Sequence, residues 1–489
     1  MKLPNSQDLN SEQMEILFSG LENDLFVSGP PGTGKTVMAL YRAQMISEKD
    51  ENNKFWIIMY NRVLSKYTRD NLGSAGFKQA DKVEKRIRTM HQWAYAWGKN
   101  WGWGIPEIER YIYDWKEAMK RLMMKDPEKR KRAANWQHLI IDEGQDFPKE
   151  FYSILAFTKS IGSDIGKDMA LTVFADENQK ITKYNSSVAE IEAELRPDNQ
   201  HNKALTKNYR NSLQIAKLAS TFYVGADTGI PDFPNRTGLE DPKLFPCKSM
   251  REEVNKIVNF MKMNDDLTVG VFVQTHMVRR PLYNELLKAD FGGSDIKIQT
   301  FVSEDENHTA EKLEIERQGS ITVVCAASCK GLEFDAVFIP RLETYPMDPG
   351  AIREFKMGMY VQISRARDYL YFSYSSSTGQ KPGILKYFPA ELQGESSDVW
   401  IDQPALNKPI TSPITPEHPP NTADTTPPKV IGRLEVIKYK KAILLKGDTK
   451  PIKDEIKNIG GKWNGKLGGW IFPGSKENEV ISFAQKYNK

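Results

Sequence analysis

Short apolar runs recur along the chain as far as about residue 400, separated by stretches whose apolar positions return every three or four residues. Runs at 25–27, 55–59, 138–141, 171–174, 269–273, 321–325, 336–339 and 369–374 are almost free of charged side chains. Such runs predict strands covered on both faces, which is the signature of parallel sheets. Their alternation with helical patterns predicts α/β layers joined by right-handed crossovers. No internal repeat of a solenoid period is present.

The pattern stops at 402–429, where eight prolines sit among Thr, Ser, Asn and Asp. That composition cannot bury a core and predicts an extended, semi-rigid linker. Residues 430–489 then read β-β-α-β-β-α. Strands are expected at 434–439 and 442–446, and a helix at 451–459 capped by Asp448 or Thr449 and ended by Gly460-Gly461. Asn464-Gly465 predicts a hairpin turn, 469–472 a strand, and Ser475 the start of a last helix.

A chain of 489 residues exceeds one ordinary core, so two or three domains are expected. No apolar run reaches the roughly 18 residues of a membrane span, and the polar N-terminus lacks a signal-peptide apolar region. Three cysteines make no disulfide framework, which fits a reducing cytoplasm. The net charge of +4 hides an asymmetry. Residues 430–489 hold 13 Lys and Arg against 6 Asp and Glu, so the basic surplus lies in the tail and the remainder is net acidic.

Gly29-Pro30-Pro-Gly32-Thr33-Gly34-Lys35-Thr36 follows the first apolar run and opens a helical pattern. A glycine turn between strand and helix presents backbone N–H groups to phosphate oxygens, and the helix N-terminus adds positive charge. Lys35 would reach the β- and γ-phosphates and Thr36 would hold Mg2+. The run at 138–141 ends in Asp142-Glu143-Gly-Gln-Asp146. Asp142 is expected to support the metal and Glu143 to act as general base toward water.

Leu9-Asn-Ser-Glu-Gln13, the glycine loop and Asp142-Glu143-Gly-Gln-Asp146 together resemble superfamily-one helicases of the UvrD/Rep type. So do Ala175-Asp-Glu-Asn-Gln179, Asn208-Tyr-Arg-Asn211, Ser328-Cys-Lys-Gly-Leu-Glu-Phe-Asp335 and Tyr360-Val-Gln-Ile-Ser-Arg-Ala-Arg367, in family order. The resemblance, which spans roughly residues 9–372, implies an α/β fold of two RecA-like parallel-sheet lobes, to which the composition adds the Pro-rich linker and a small α+β C-terminal module. Residues 1–200 would form the first lobe, with a short helical insertion at about 93–135. Residues 201–401 would form the second lobe, 402–429 the linker and 430–489 the basic module.

The same resemblance implies an ATP- and Mg2+-dependent translocase or helicase, moving 3′ to 5′ on single-stranded nucleic acid, with DNA favoured over RNA. Gln13 would recognise the adenine, Tyr209 would stack on it, and Glu333, beside Gly331, would contact the ribose. Gln179 would sense the γ-phosphate, while Arg210 and Arg365 would neutralise its charge from the second lobe. Asn61, Arg62 and His91 fall in strand-contacting segments. Tyr184 stands where relatives stack a base, with core packing as the other reading. Asn185 and Ala327 replace an arginine and a histidine common in relatives, and the gaps that hold large accessory subdomains are short here. These departures keep an alternative open: an ATP-gated nucleic-acid clamp in a larger repair or phage-defence assembly, with little unwinding. A P-loop small-molecule kinase would leave both arginine motifs unexplained.

Two tryptophan-rich segments admit two readings each. Trp93, Trp97, Trp101, Trp103 and Trp115, with the basic run 125–132, form either a small helical core or a strand-binding surface. Trp463 and Trp470, interleaved with Lys462, Lys466 and Phe472, serve either the module's core or base stacking beside phosphate-binding lysines. A protein partner is the other use for this module.

Overall fold

The computed structural model describes residue 4 and residues 6–49, 54–74, 80–102, 104–109, 112–177, 185–195, 201–226, 228–303, 305–346, 348–393 and 434–484, the last with short breaks. The chain divides into two compact units, Met1–Ser412 and Pro413–Lys489. Gln179, Tyr184, Trp103 and the linker at 402–429 lie outside the described residues.

The first unit holds two six-stranded parallel sheets. In the first sheet the strands are β1 (Leu25–Ser28), β2 (Phe55–Met59), β3 (Ile87–Thr89), β6 (His138–Ile141), β7 (Ala170–Ala175) and β8 (Asn202–Ala204). The small hairpin β4 (Glu107–Glu109) and β5 (Ile112–Tyr113) stands apart as a two-stranded sheet. Spatial order in the first sheet is β3-β2-β6-β7-β1-β8. β6 and β7 are buried along their whole length, as their apolar runs require. Ser28 pairs with Ala175 and Ile141 with Val173, so β1, β6 and β7 end side by side. Loops leaving these carboxyl ends converge, and ligands of open α/β sheets bind at such ends.

The second sheet contains β9 (Lys243–Cys247), β10 (Thr268–Val273), β11 (Lys297–Thr300), β12 (Ser320–Cys325), β13 (Phe334–Ile339) and β14 (Ala366–Ser375), in the order β11-β12-β10-β13-β14-β9. The fold is therefore α/β with two parallel-sheet lobes. One apolar cluster is shared between them: it runs from Val27, Leu40 and Leu64 to Phe334, Val337 and Leu370.

The first sheet's opposite face is covered by the tryptophan-rich segment. Trp93 and Trp97 stack at 5.1 Å, Trp115 meets Phe151 edge-on at 4.9 Å, and Trp97 Nε1 donates to the Ala133 carbonyl at 2.8 Å. Trp93, Trp97, Trp101 and Trp115 are all buried. They form a core, and the basic side chains on helix Pro127–Ala133 remain outside it, where Lys129 and Lys131 pair with Asp126 and Glu128.

The second unit is a four-stranded antiparallel sheet, β15 (Glu435–Tyr439), β16 (Ala442–Lys446), β17 (Lys462–Asn464) and β18 (Gly469–Pro473), ordered β15-β16-β18-β17, with helix Lys453–Asn458. Leu445, Ile456, Trp470 and Phe472 pack into its core. Trp463 lies directly opposite Trp470 on the edge strand, yet it is 56% exposed. The tryptophans thus divide, one to the core and one to the surface. The turn at Asn464-Gly465 and the start of the helix at Ser475 fall outside the described residues.

Candidate functional site

The loop after β1 turns into helix Lys35–Lys49 through two left-handed glycines, Gly32 at φ 84° and Gly34 at φ 93°. At φ 93° Gly34 occupies backbone that side-chain-bearing residues rarely adopt, and a Cβ there would also press on Gln13 Nε2 at 2.8 Å. Gln13 owes its place to a capping box: Asn10 accepts from Gln13 N at 2.7 Å and its own N–H donates to Gln13 Oε1 at 3.1 Å. The Gln13 amide then reaches the Thr33 carbonyl at 3.4 Å. Thr33 Oγ1 closes the loop on the Pro30 carbonyl at 2.9 Å. Lys35 Nζ donates to the carbonyls of Gly29 and Pro30 at 2.7 and 3.0 Å and lies 3.7 Å from Asp176.

Thr36 Oγ1 donates to Asp142 Oδ2 at 2.7 Å, joining the helix start to the end of β6. Asp142 is fully buried, and burial beside the Glu143 charge pushes its carboxyl up. Glu143 adopts left-handed backbone, φ 54° and ψ 47°, which is uncommon for a non-glycine residue and recurs at functional sites. Its carboxylate accepts from Gln145 Nε2 at 2.6 Å, and Gln145 Oε1 accepts from the Asp176 N–H at 2.8 Å. Burial raises Glu143, but Lys330, Lys35, the Gln145 bond and Arg365 together hold it below the usual range.

The first sheet runs past residue 200 to β8, and Arg210 lies in the segment between β8 and the first strand of the second sheet, where Nη2 contacts Glu333 Oε1 at 2.6 Å and Nη1 reaches the Ser364 carbonyl at 3.2 Å. Burial opposes ionisation of Glu333, yet Arg210 and Arg367 hold its carboxyl down to about 2. Arg365 is buried, with Nε on the Val361 carbonyl at 2.9 Å and Nη2 on Ser364 Oγ at 2.9 Å; burial and the nearby Arg210 lower it to about 10. Tyr209 is half-exposed, its N–H bound to the Gly32 carbonyl at 2.9 Å and its hydroxyl to Asn10.

Of the residues expected at a nucleotide, Gln13, Gly32, Gly34, Lys35, Thr36, Glu143, Tyr209, Arg210, Gly331, Glu333 and Arg365 line one cleft of about 170 Å³ between the sheets. Gly29, Pro30 and Thr33 shape the loop behind it, and Asp142 reaches it through Thr36. The Thr36 hydroxyl and Asp142 carboxylate, held together at 2.7 Å, are the oxygen donors that a hard cation such as Mg2+ takes, and Mg2+ needs few protein oxygens. Among the described residues no cluster of three or more His, Cys, Asp or Glu could hold a metal ion. No helix among them is long and apolar enough to cross a membrane, and all three cysteines are free and buried.

A second cavity, of about 290 Å³, gathers Tyr60, Asn61, Arg62 and His91 from the first lobe and Phe301, Ser303, Ala327 and Ser328 from the second. Asn61 Oδ1 caps the helix that follows it, at 2.8 Å from Val63 N. Asn185, which stands where relatives carry an arginine, also lines this cavity, as do Asp146 and Lys330, to which the sequence assigns no individual role. Their motifs were visible, but a contact spanning 184 positions, as between Asp146 and Lys330, has no local signal.

The sequence matches the UvrD-like helicase C-terminal domain family over residues 43–377. A search of curated proteins finds no match. Among solved structures, the C-terminal domain of a possible DNA helicase from Lactobacillus plantarum WCFS1 is 21% identical. It covers 38% of this chain and 96% of its own, with a TM-score of 0.28. The DUF1998 helicase MrfA, solved bound to DNA, is 11% identical and covers 79% of this chain, with a TM-score of 0.45. The match takes in 48% of MrfA, so this chain spans about half of that protein's length.

Proposed function

Since the chain belongs to the UvrD-like helicase C-terminal domain family, we propose that it is an ATP- and Mg2+-dependent motor on single-stranded nucleic acid. DNA is the favoured strand and 3′ to 5′ the direction, both on the family's ground. The observation that carries this reading is the meeting in a single cleft of Lys35, Thr36 and Glu143, which follow strands of the first sheet, with Arg365, which directly precedes β14 of the second, and Arg210, which is hydrogen-bonded to Ser364 and Glu333.

In this reading the loop amides and Lys35 hold the β- and γ-phosphates, Gln13 reads the adenine and Tyr209 stacks on it. Thr36 and Asp142 would hold Mg2+, which supplies charge neutralisation at the phosphates. Glu143 takes the proton of the attacking water. Arg210 and Arg365 stabilise charge on the γ-phosphoryl group, so the cleft is complete only when the lobes meet. Hydrolysis releases that closure, and the strand held by Asn61, Arg62 and His91 is moved. The basic 430–489 module adds phosphate contacts, and the free buried thiols fit a cytoplasmic protein.

A second reading, the ATP-gated clamp, draws support from the ties already present between the lobes: the shared apolar cluster and the Arg69–Glu311 ion pair at 3.0 Å. A strand labelled at either end, followed by stopped-flow fluorescence, separates the two. Signals from the 5′ label that lag in proportion to strand length support the motor. Strand binding and ATP turnover without any length-dependent lag contradict it and favour the clamp.

A further inference from the structure

Helix Trp115–Met123 lays Trp115, Ala118 and Leu122 into the first lobe's core and leaves its other side to solvent. Lys116, Lys120 and Met124 recur at four-residue spacing, and with Met123 they form one exposed stripe. Met123 is 47% and Met124 84% exposed. The next helix, Pro127–Ala133, carries Lys129, Arg130, Lys131 and Arg132. From 116 to 132 the chain holds eight Lys and Arg against three Asp and Glu. The ion pairs in this stretch, Arg121–Glu117, Lys129–Asp126 and Lys131–Glu128, lie at the surface, where such pairs hold their partners weakly. Lys116, Lys120, Arg130 and Arg132 have no carboxylate partner among the described residues.

The second helix lies away from the strand-facing cavity. That cavity opens at the carboxyl ends of β2, β3 and β6, where Tyr60, His91 and Asp146 stand. The chain leaving helix Pro127–Ala133 is tied instead to the amino ends of β2 and β7. Lys167 binds the Ala134 carbonyl, Gln137 Oε1 accepts from Lys54 N at 2.7 Å, and the Gln137 carbonyl accepts from Ala170 N at 2.9 Å. Basic charge here therefore does not serve a strand in that cavity. The methionines decide the kind of partner. A polyphosphate gains nothing from them, and Trp93, Trp97, Trp101 and Trp115 are buried beneath, where no base can stack on them. Methionine is flexible and polarisable and fits apolar side chains of varied shape, and Met and Arg are both enriched in protein interfaces. We propose that these two helices form a docking surface for an acidic protein segment. Its apolar side chains seat on Met123 and Met124, and its carboxylates pair with Lys116, Lys120, Arg130 and Arg132.

The test uses the full chain as wild type, as a methionine variant (Met123→Ser with Met124→Ser) and as a charge variant (Lys120→Glu with Arg132→Glu). A phage-displayed library of random peptides is selected on wild type and counter-selected on each variant. Peptides kept by wild type and released by both variants should carry net negative charge and large apolar side chains. The best of them, synthesised and labelled, should bind each variant about tenfold or more weakly by fluorescence anisotropy, and added salt should weaken its hold on wild type. Selected peptides that lack acids, or a library in which none tells wild type from the variants, overturn the proposal. Single-stranded and duplex oligonucleotides are titrated in parallel and should bind both variants as they bind wild type. A loss of about tenfold in the charge variant, with none in the methionine variant, makes this a nucleic-acid surface and overturns the proposal too. All four substituted side chains are exposed, so both variants should melt as wild type does. If the charge variant does not, Lys116→Glu with Arg130→Glu takes its place under the same readouts.

Discussion

Thr36 Oγ1 and Asp142 Oδ2 lie 2.7 Å apart, although 106 positions separate them in the chain. The register of β1 and β6 around β7 brings their ends level, and this bond fastens the glycine loop to the first carboxylate. Next along the chain, Glu143 is set apart from Asp142 by its left-handed backbone and by its bond to Gln145.

Glu143→Gln should separate binding from chemistry. Loss of the general base lowers turnover by at least about a hundredfold, while ATP affinity by equilibrium titration stays within a few-fold of wild type. Rapid hydrolysis by this variant removes Glu143 from the base role. Weakened ATP binding assigns it to the binding surface instead.

Arg365 is expected to act on the phosphoryl group from the second lobe. Arg365→Lys retains a charge but loses the planar fork, and turnover should drop by on the order of 10³. ATP affinity, measured in parallel, should change far less. Comparable losses in both quantities would make Arg365 a structural strut for the Val361 and Ser364 groups that it bonds.

Much of this architecture is legible in sequence. Runs such as those of β6, β7, β10 and β12 are unbroken because both faces are covered. The strands that escape sequence reading are short and carry charges or amides, as in Ile87–Thr89, Asn202–Ala204 and Lys297–Thr300, all at sheet edges where burial demands less. Motif order indicates which residues share the nucleotide cleft. It is silent on partners fixed only by lobe packing, such as Arg210 with Glu333 or Lys330 with Asp146.

Trp97 and Trp463 should respond in opposite ways. Trp97 is buried, stacked on Trp93 and hydrogen-bonded to Ala133, so Trp97→Ala should cost about 3–5 kcal/mol of unfolding free energy. Trp463→Ala removes an exposed ring and should leave stability within about 0.5 kcal/mol. Its effect should appear in strand binding, as a loss of about 1 kcal/mol or more by anisotropy. Unchanged strand affinity would assign the module to a protein partner.

His138 gives the first lobe an acid-sensitive point. Its ring is buried against Thr172 at 2.8 Å, and burial, with Arg42 and Lys159 nearby, pushes the imidazole down to about 3. An unfolded histidine takes up its proton near pH 6.5. Below that value the unfolded chain binds more protons than the folded one, so stability falls as pH drops toward the folded value. Between pH 7.5 and 5.5 the wild type should lose about 1.4 kcal/mol more than His138→Gln in urea denaturation. Equal losses would show that the ring protonates in place.

The most direct measurement is the steady-state rate of ATP hydrolysis by the full chain, titrated with single-stranded DNA beside Lys35→Ala. A rate that climbs to saturation with DNA in the wild type and vanishes in Lys35→Ala is the predicted result. A rate that stays flat across the titration, or persists in Lys35→Ala, contradicts a strand-driven motor built on this cleft.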